Sequence, residues 1–101
     1  MTRPKTPQDD EFEPDWEVDL HRLPPEQALR RLGQELHACR LRRMKSLLVI
    51  TGRGWGNLAQ KPVLRPRVEE WLRGPDGQRL GVLRIEITAQ GGALIVWLRP
   101  A

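Results

Sequence analysis

Six blocks of apolar positions, separated by polar or glycine- and proline-bearing stretches, run from Trp16 to Leu98. The first, about Trp16 to Leu20, is short and reads as a strand. From Pro25 to about Leu41 the apolar positions Ala28, Leu29, Leu32, Leu36 and Cys39 recur at three- and four-residue steps, the repeat of an amphipathic helix. Pro25 suits the first turn of that helix, where its missing N–H costs no hydrogen bond. Ser46 to Ile50 is a continuous apolar run, predicted to be a central strand parallel to the first. A second helix is predicted over about Val63 to Arg73, with Leu64, Val68, Trp71 and Leu72 on one face, Pro66 in its first turn and Gly74-Pro75 as its stop. Val82 to Thr88 alternates, with Leu83, Ile85 and Ile87 on one face and Arg84, Glu86 and Thr88 on the other. Ala89 to Gly92 reads as a hairpin turn into a last strand, Ala93 to Leu98. The order is βαβαββ, an α/β (α+β) arrangement whose first three elements form a right-handed βαβ unit.

Length and composition narrow the possibilities. A chain of 101 residues supports one domain with one modest core. It has no apolar stretch of about 18 residues and no signal-peptide pattern, so neither a membrane span nor secretion is expected and a cytoplasmic location is. A single cysteine, Cys39, and two histidines make neither a disulfide nor a zinc pattern. Cys39 and His37 are expected to be structural parts of the first helix, and Trp16, Trp71 and Trp97 to lie in or at the edge of the core.

Charge is segregated. Asp9 to Asp19 holds seven acids and no Lys or Arg, whereas Arg22 to Ala101 holds 15 Lys and Arg against 6 Asp and Glu. An excess of that sign points to a polyanionic partner, nucleic acid first, although an arginine-rich solvated surface has the same composition. Residues 1–14, with three prolines and many acids, read as a disordered arm able to fold back on the basic remainder, and residues 15–101 as the domain.

Chemistry concentrates in two short segments. On a strand, residues two apart share a face, so Asp19 and His21 in Val18-Asp19-Leu20-His21 aim a carboxylate and an imidazole the same way. The second segment, Thr51-Gly52-Arg53-Gly54-Trp55-Gly56-Asn57, has three glycines in five residues, which suit a sharp turn or a close approach to a ligand. In a parallel βαβ unit both strands end at one sheet edge, which brings the two segments together. Helix N-termini at that edge favour an anion, and Arg22, Arg53, Lys61, Arg65 and Arg67 are predicted on or near the same rim. Each feature also has an ordinary reading: Asp19 as a helix cap, His21 as a strand-end packing residue, the glycines as a turn, Trp55 as a cover for the loop rather than a platform for a base.

Taken in order, these residues resemble the small MutS-related (Smr) domain family over Trp16 to Leu98. Val18-Asp19-Leu20-His21 matches the family's strand-ending Leu-Asp-x-His, followed by Glu26-Gln27-Ala28-Leu29. Thr51-Gly52-Arg53-Gly54 matches its His-Gly-x-Gly, Pro62 to Leu72 its second helix, and Gly91-Gly92-Ala93 its last glycine turn. The resemblance implies a two-layer sandwich like the C-terminal domain of translation initiation factor 3, with two helices on a four-stranded mixed sheet. It further implies nucleic-acid binding, and DNA nicking or RNA cleavage, sometimes at ribosomes. Asp19 and His21 are then the catalytic pair, and Arg22, Thr51, Gly52, Arg53, Gly54, Trp55, Lys61, Arg65 and Arg67 the candidates for holding phosphate and base.

One departure bears on activity, because Thr51 stands where the family has a histidine and cannot titrate near neutral pH. Phosphodiester cleavage needs an acid, a base or a metal in place of one of them, and a divalent Mg²⁺ or Mn²⁺ is one way of completing the set. RNA brings its own 2′-hydroxyl nucleophile, so the change weakens DNA nicking more than RNA cleavage. The expected function is an endonuclease on RNA or DNA, with a non-catalytic nucleic-acid- or ribosome-binding module, or a docking module for a larger nuclease or ATPase, as the other readings. A monomer is the favoured state.

Overall fold

The structure, a computed structural model, describes residues 13–52, 64–88 and 91–100. Its elements are β1 (Trp16–Asp19), α1 (Pro25–Leu41), β2 (Ser46–Ile50), α2 (Leu64–Arg73), α3 (Pro75–Arg79), β3 (Val82–Ile87) and β4 (Ala93–Leu98). The arm expected over residues 1–14 falls outside the described residues except for Glu13 and Pro14, as do Val63 and the first half of the hairpin turn, Ala89 and Gln90.

The four strands form one mixed sheet in the order β1-β2-β4-β3. β2 is central, parallel to β1 and antiparallel to β4, and β3 pairs antiparallel with β4 at the far edge. Period-two alternation sends Val18, Leu47, Val49, Leu94 and Val96 to one face, where they meet Ala28, Leu32 and Leu36 of α1 and Leu64, Val68 and Leu72 of α2 in a single buried cluster. Burying a leucine completely contributes about 2 kcal/mol, so this face holds the domain together. The opposite face carries Glu17, Leu48, Ile50, Ile95, Trp97, Arg84 and Glu86 on adjacent strands and remains partly exposed. This is the two-layer sandwich that the sequence predicts. Cys39 sits in the core as expected, and burial pushes its thiol up to about 11. Among the described residues no helix is long and apolar enough to cross a membrane.

Three local features differ from expectation. Gly74-Pro75 ends α2 but also starts α3, because proline is as good at the first position of a helix as it is bad further in. The alternation of β3 is interrupted: Val82 pairs with Leu98 and Arg84 with Trp97, so two residues of β3 advance against one of β4. This bulge turns Leu83 out to 61% exposure and leaves Val82 and Ile85 packed on the core. Trp97 and Trp16 are not core residues. Trp97 lies on the open face with Arg84 over its ring, and Trp16, 38% exposed, packs under Arg42 and donates from Nε1 to Glu35 at 2.9 Å. Trp71 alone meets the core, as a half-buried side chain packed on Gly33.

α1 closes with an arginine where glycine is usual. Met44 N–H donates to Cys39 O at 2.9 Å and Arg43 N–H to Arg40 O at 3.1 Å, the paired bonds of a Schellman end. The residue at its turning point, Arg43, takes φ 57, a left-handed conformation that costs a side-chain-bearing residue about 1 kcal/mol.

Candidate functional site

Because β1 and β2 are parallel, their carboxyl ends meet at one edge. Asp19 pairs with Ile50 and Leu20 N–H donates to Ile50 O at 2.8 Å, which sets residues 19–22 beside residues 51 and 52. The predicted approach of the two segments is therefore present as far as the described residues reach.

Asp19 and His21 touch, by a tighter device than strand alternation. β1 stops at Asp19, and Asp19 Oδ1 accepts the backbone N–H of His21 at 3.0 Å, an Asx turn. The same oxygen accepts His21 Nδ1–H. Arg22 Nε donates to His21 Nε2 at 3.0 Å, so the ring is the neutral tautomer with its proton on Nδ1 and its acceptor lone pair on Nε2. The hydrogen bonds from His21, side chain first and then backbone, hold the Asp19 carboxyl below the usual carboxylate range. Both side chains are open to solvent, at 51% for Asp19 and 39% for His21. The helix-cap reading of Asp19 does not apply: Pro24 occupies the cap of α1 without a side-chain hydrogen bond.

Gly52 completes the contact between the segments. Its φ of 76 lies in the left-handed region, and a methyl group built on it would stand 3.2 Å from His21 Cβ. Gly92 O accepts both Thr51 N–H (3.1 Å) and Gly52 N–H (3.0 Å), tying the end of β2 to the turn before β4. Arg65 of α2 grips the same turn, donating from Nη1 to Gly91 O at 2.8 Å with its Nε 3.9 Å from Glu69. Gly91 and Gly92, read from the sequence only as a hairpin turn, are thus the scaffold of this edge.

The remaining predicted site residues divide. Arg22 belongs to the site directly. Thr51 is buried, 4% exposed, with its hydroxyl donating to Gly52 O at 3.3 Å. Arg65 is committed to the turn, and Arg67 lies on the outer side of α2, in a groove with Leu29, Glu70 and Trp71. Arg53, Gly54, Trp55 and Lys61 lie outside the described residues. Among the described residues no three His, Cys, Asp or Glu side chains converge as a metal-binding group. His37 is exposed on α1, away from the site, beside Gly33 and Trp71.

The Smr domain family model matches residues 18–99. Among solved structures, the Smr domain of Thermus thermophilus MutS2 is similar at 30% identity and a TM-score of 0.67, over 83% of this chain and 98% of that one. The B3BP Smr domain is similar at 28% identity and a TM-score of 0.62, over 82% of this chain and 77% of that one. The corresponding domain of NEDD4-binding protein 2 is similar at 27% identity and a TM-score of 0.59, over 84% and 86%. The sequence matches no curated protein.

Proposed function

The chain belongs to the Smr domain family, whose members bind nucleic acid, and from that membership we propose that it is an endonuclease cleaving RNA at the edge formed by Asp19, His21, Arg22 and Gly52. The observation that carries this reading is the ordered trio: a carboxylate fixing the Nδ1–H tautomer of an imidazole whose Nε2 is met by a guanidinium. Asp19 orients His21 by accepting its Nδ1–H, the role of the acid in an acid–imidazole pair. Arg22 guards Nε2 in the free protein and is the group a phosphodiester would attract. Drawn to the phosphate, it leaves Nε2 open to take the 2′-hydroxyl proton. The 2′-oxygen then bonds to phosphorus as the P–O5′ bond breaks, and the departing 5′-oxygen takes a proton from the imidazolium or water. A divalent ion, when required, would stabilise the extra charge on phosphorus.

Thr51 supports the second reading, a binding module without catalysis. Its hydroxyl is buried against Gly52 O, so it brings no titratable group to the edge. Incubating the chain with labelled single-stranded RNA and with supercoiled DNA, with and without Mg²⁺ or Mn²⁺, separates the two. RNA cleavage that falls about 100-fold or more in His21→Ala, the usual scale of a lost general base, is the expected result. Cleavage that survives the change removes His21 from the mechanism, and salt-sensitive binding without cleavage establishes the binding module.

A further inference from the structure

At the end of the sheet opposite Asp19 and His21, five cations from four parts of the chain surround a cavity of about 670 Å³. Arg40, Arg43, Lys45, Arg84 and Arg99 line it with Trp97, and no acid does among the described residues. A basic helix end is ordinary, since cations suit a helix C-terminus, and Arg40 and Arg43 alone would need no further reading. Lys45, Arg84 and Arg99, however, come from the connection to β2, from β3 and from the residue after β4. Arg43 is held at φ 57, where glycine would sit without strain. The bulge in β3 turns Leu83 into the same cavity. Arg84 stands over the Trp97 ring, 4.8 Å from its centroid, while Glu86, outside the lining, accepts Trp97 Nε1–H at 2.5 Å. Such a stack offers a guanidinium plane on which a base can lie, and the surrounding cations suit the phosphates on either side of it.

We propose that this cavity is a second nucleic-acid contact, which holds a single strand whose scissile phosphate lies at the Asp19/His21 edge. The inference rests on the nucleic-acid reading of that edge and extends it. Trp97 and Arg84 lie on the same open face of the sheet as Asp19, and β2 runs from one end of that face to the other. From Lys45 to Gly52 the rise is about 23 Å at strand spacing, a span a single strand of several nucleotides covers. Two features select a single strand over a duplex. The cavity is concave and of nucleotide size, and only an unstacked base reaches the Arg84–Trp97 pair.

The test uses Arg43→Gly combined with Lys45→Ala, because Arg40 and Arg99 also hold backbone carbonyls at Arg79 and Gln78 and their removal would disturb the fold. Fluorescence anisotropy with labelled single-stranded RNA of about 4 to about 16 nucleotides measures affinity across a salt series. The expected result is that longer strands bind the double variant about tenfold more weakly, with a salt slope smaller by about 0.7 for each phosphate no longer neutralised. The shortest strands should be cleaved by it at the unaltered rate. Binding of longer strands that is unchanged in affinity and slope, yet weakened by Arg22→Ala, overturns the second contact while leaving the Asp19/His21 reading intact, and points to an acidic protein segment as the occupant of the cavity. No salt-sensitive binding of any strand by the intact chain overturns both.

Discussion

A methyl group on Gly52 would stand 3.2 Å from the β-carbon of His21, closer than nearly all ordinary carbon contacts. The absence of a side chain at residue 52 therefore fixes where the imidazole can be. Gly52→Ala should act twice. At φ 76 an alanine is strained, which should lower stability by about 1–2 kcal/mol, and its methyl should push His21 off Asp19. The measurements are thermal unfolding together with the NMR shifts of the His21 ring. A folded variant with an undisturbed ring would show that the close approach is incidental.

The site is legible in the sequence to different depths. The parallel strands that end beside Gly52 can be read from the βαβ pattern, which rests on local periodicity. Asp19 and His21 can be picked out by their two-residue spacing, although an Asx turn beyond β1 rather than strand alternation joins them. The sequence does not show that Thr51 points into the core, because the continuous apolar run of β2 has no alternation to tell one face from the other and Thr51 lies one residue beyond its end. Nor does it show that Arg65 is a tether, because whether a long cationic side chain faces a ligand or a backbone carbonyl is decided by the turn it meets in space. The bulge at Leu83 is hidden for a related reason. Val82 to Thr88 alternates well on its own, and only the pairing with β4 reveals the extra residue. Trp97 reads as core or core edge from sequence because an apolar residue on an apolar strand does so whichever face it takes.

The hydrogen bonds from His21 hold the Asp19 carboxyl below its usual range, and stability should depend on pH accordingly. A carboxylate whose folded pKa is depressed contributes stability above the ordinary value, about 3.9, and loses it as pH falls through the lower folded value. Asp19 is half exposed, so the contribution is small, under about 1 kcal/mol after screening by solvent. Asp19→Asn keeps an oxygen for the Asx turn but removes the charge. Its stability should lie slightly below that of the parent at neutral pH and converge with it under acid conditions, as followed by urea unfolding at a series of pH values. A gap that widens toward low pH would contradict the depressed carboxyl.

Two glycines in helices should respond in opposite senses to the same substitution. Gly77, buried in α3, abuts the end of α2: a methyl there would fall 1.8 Å from Leu72 O and 2.5 Å from Leu72 C, both backbone atoms that cannot rotate away. Leu72 is itself in the core, so relief requires α3 to move off α2 or α2 to shift on the sheet. Gly77→Ala should cost about 3 kcal/mol, the upper end of overpacking, and lower the melting temperature by roughly 12–24 °C in a domain of this size. Gly33, inside α1, faces Trp71, and its methyl would stand 3.7 Å from the indole, an ordinary van der Waals contact. Gly33→Ala should therefore gain the helix preference of alanine over glycine, about 0.5–1 kcal/mol, and add contact with Trp71. Calorimetry of the pair checks both signs at once. If both variants are destabilised alike, the close approach of α2 and α3 at Gly77 is not what distinguishes them.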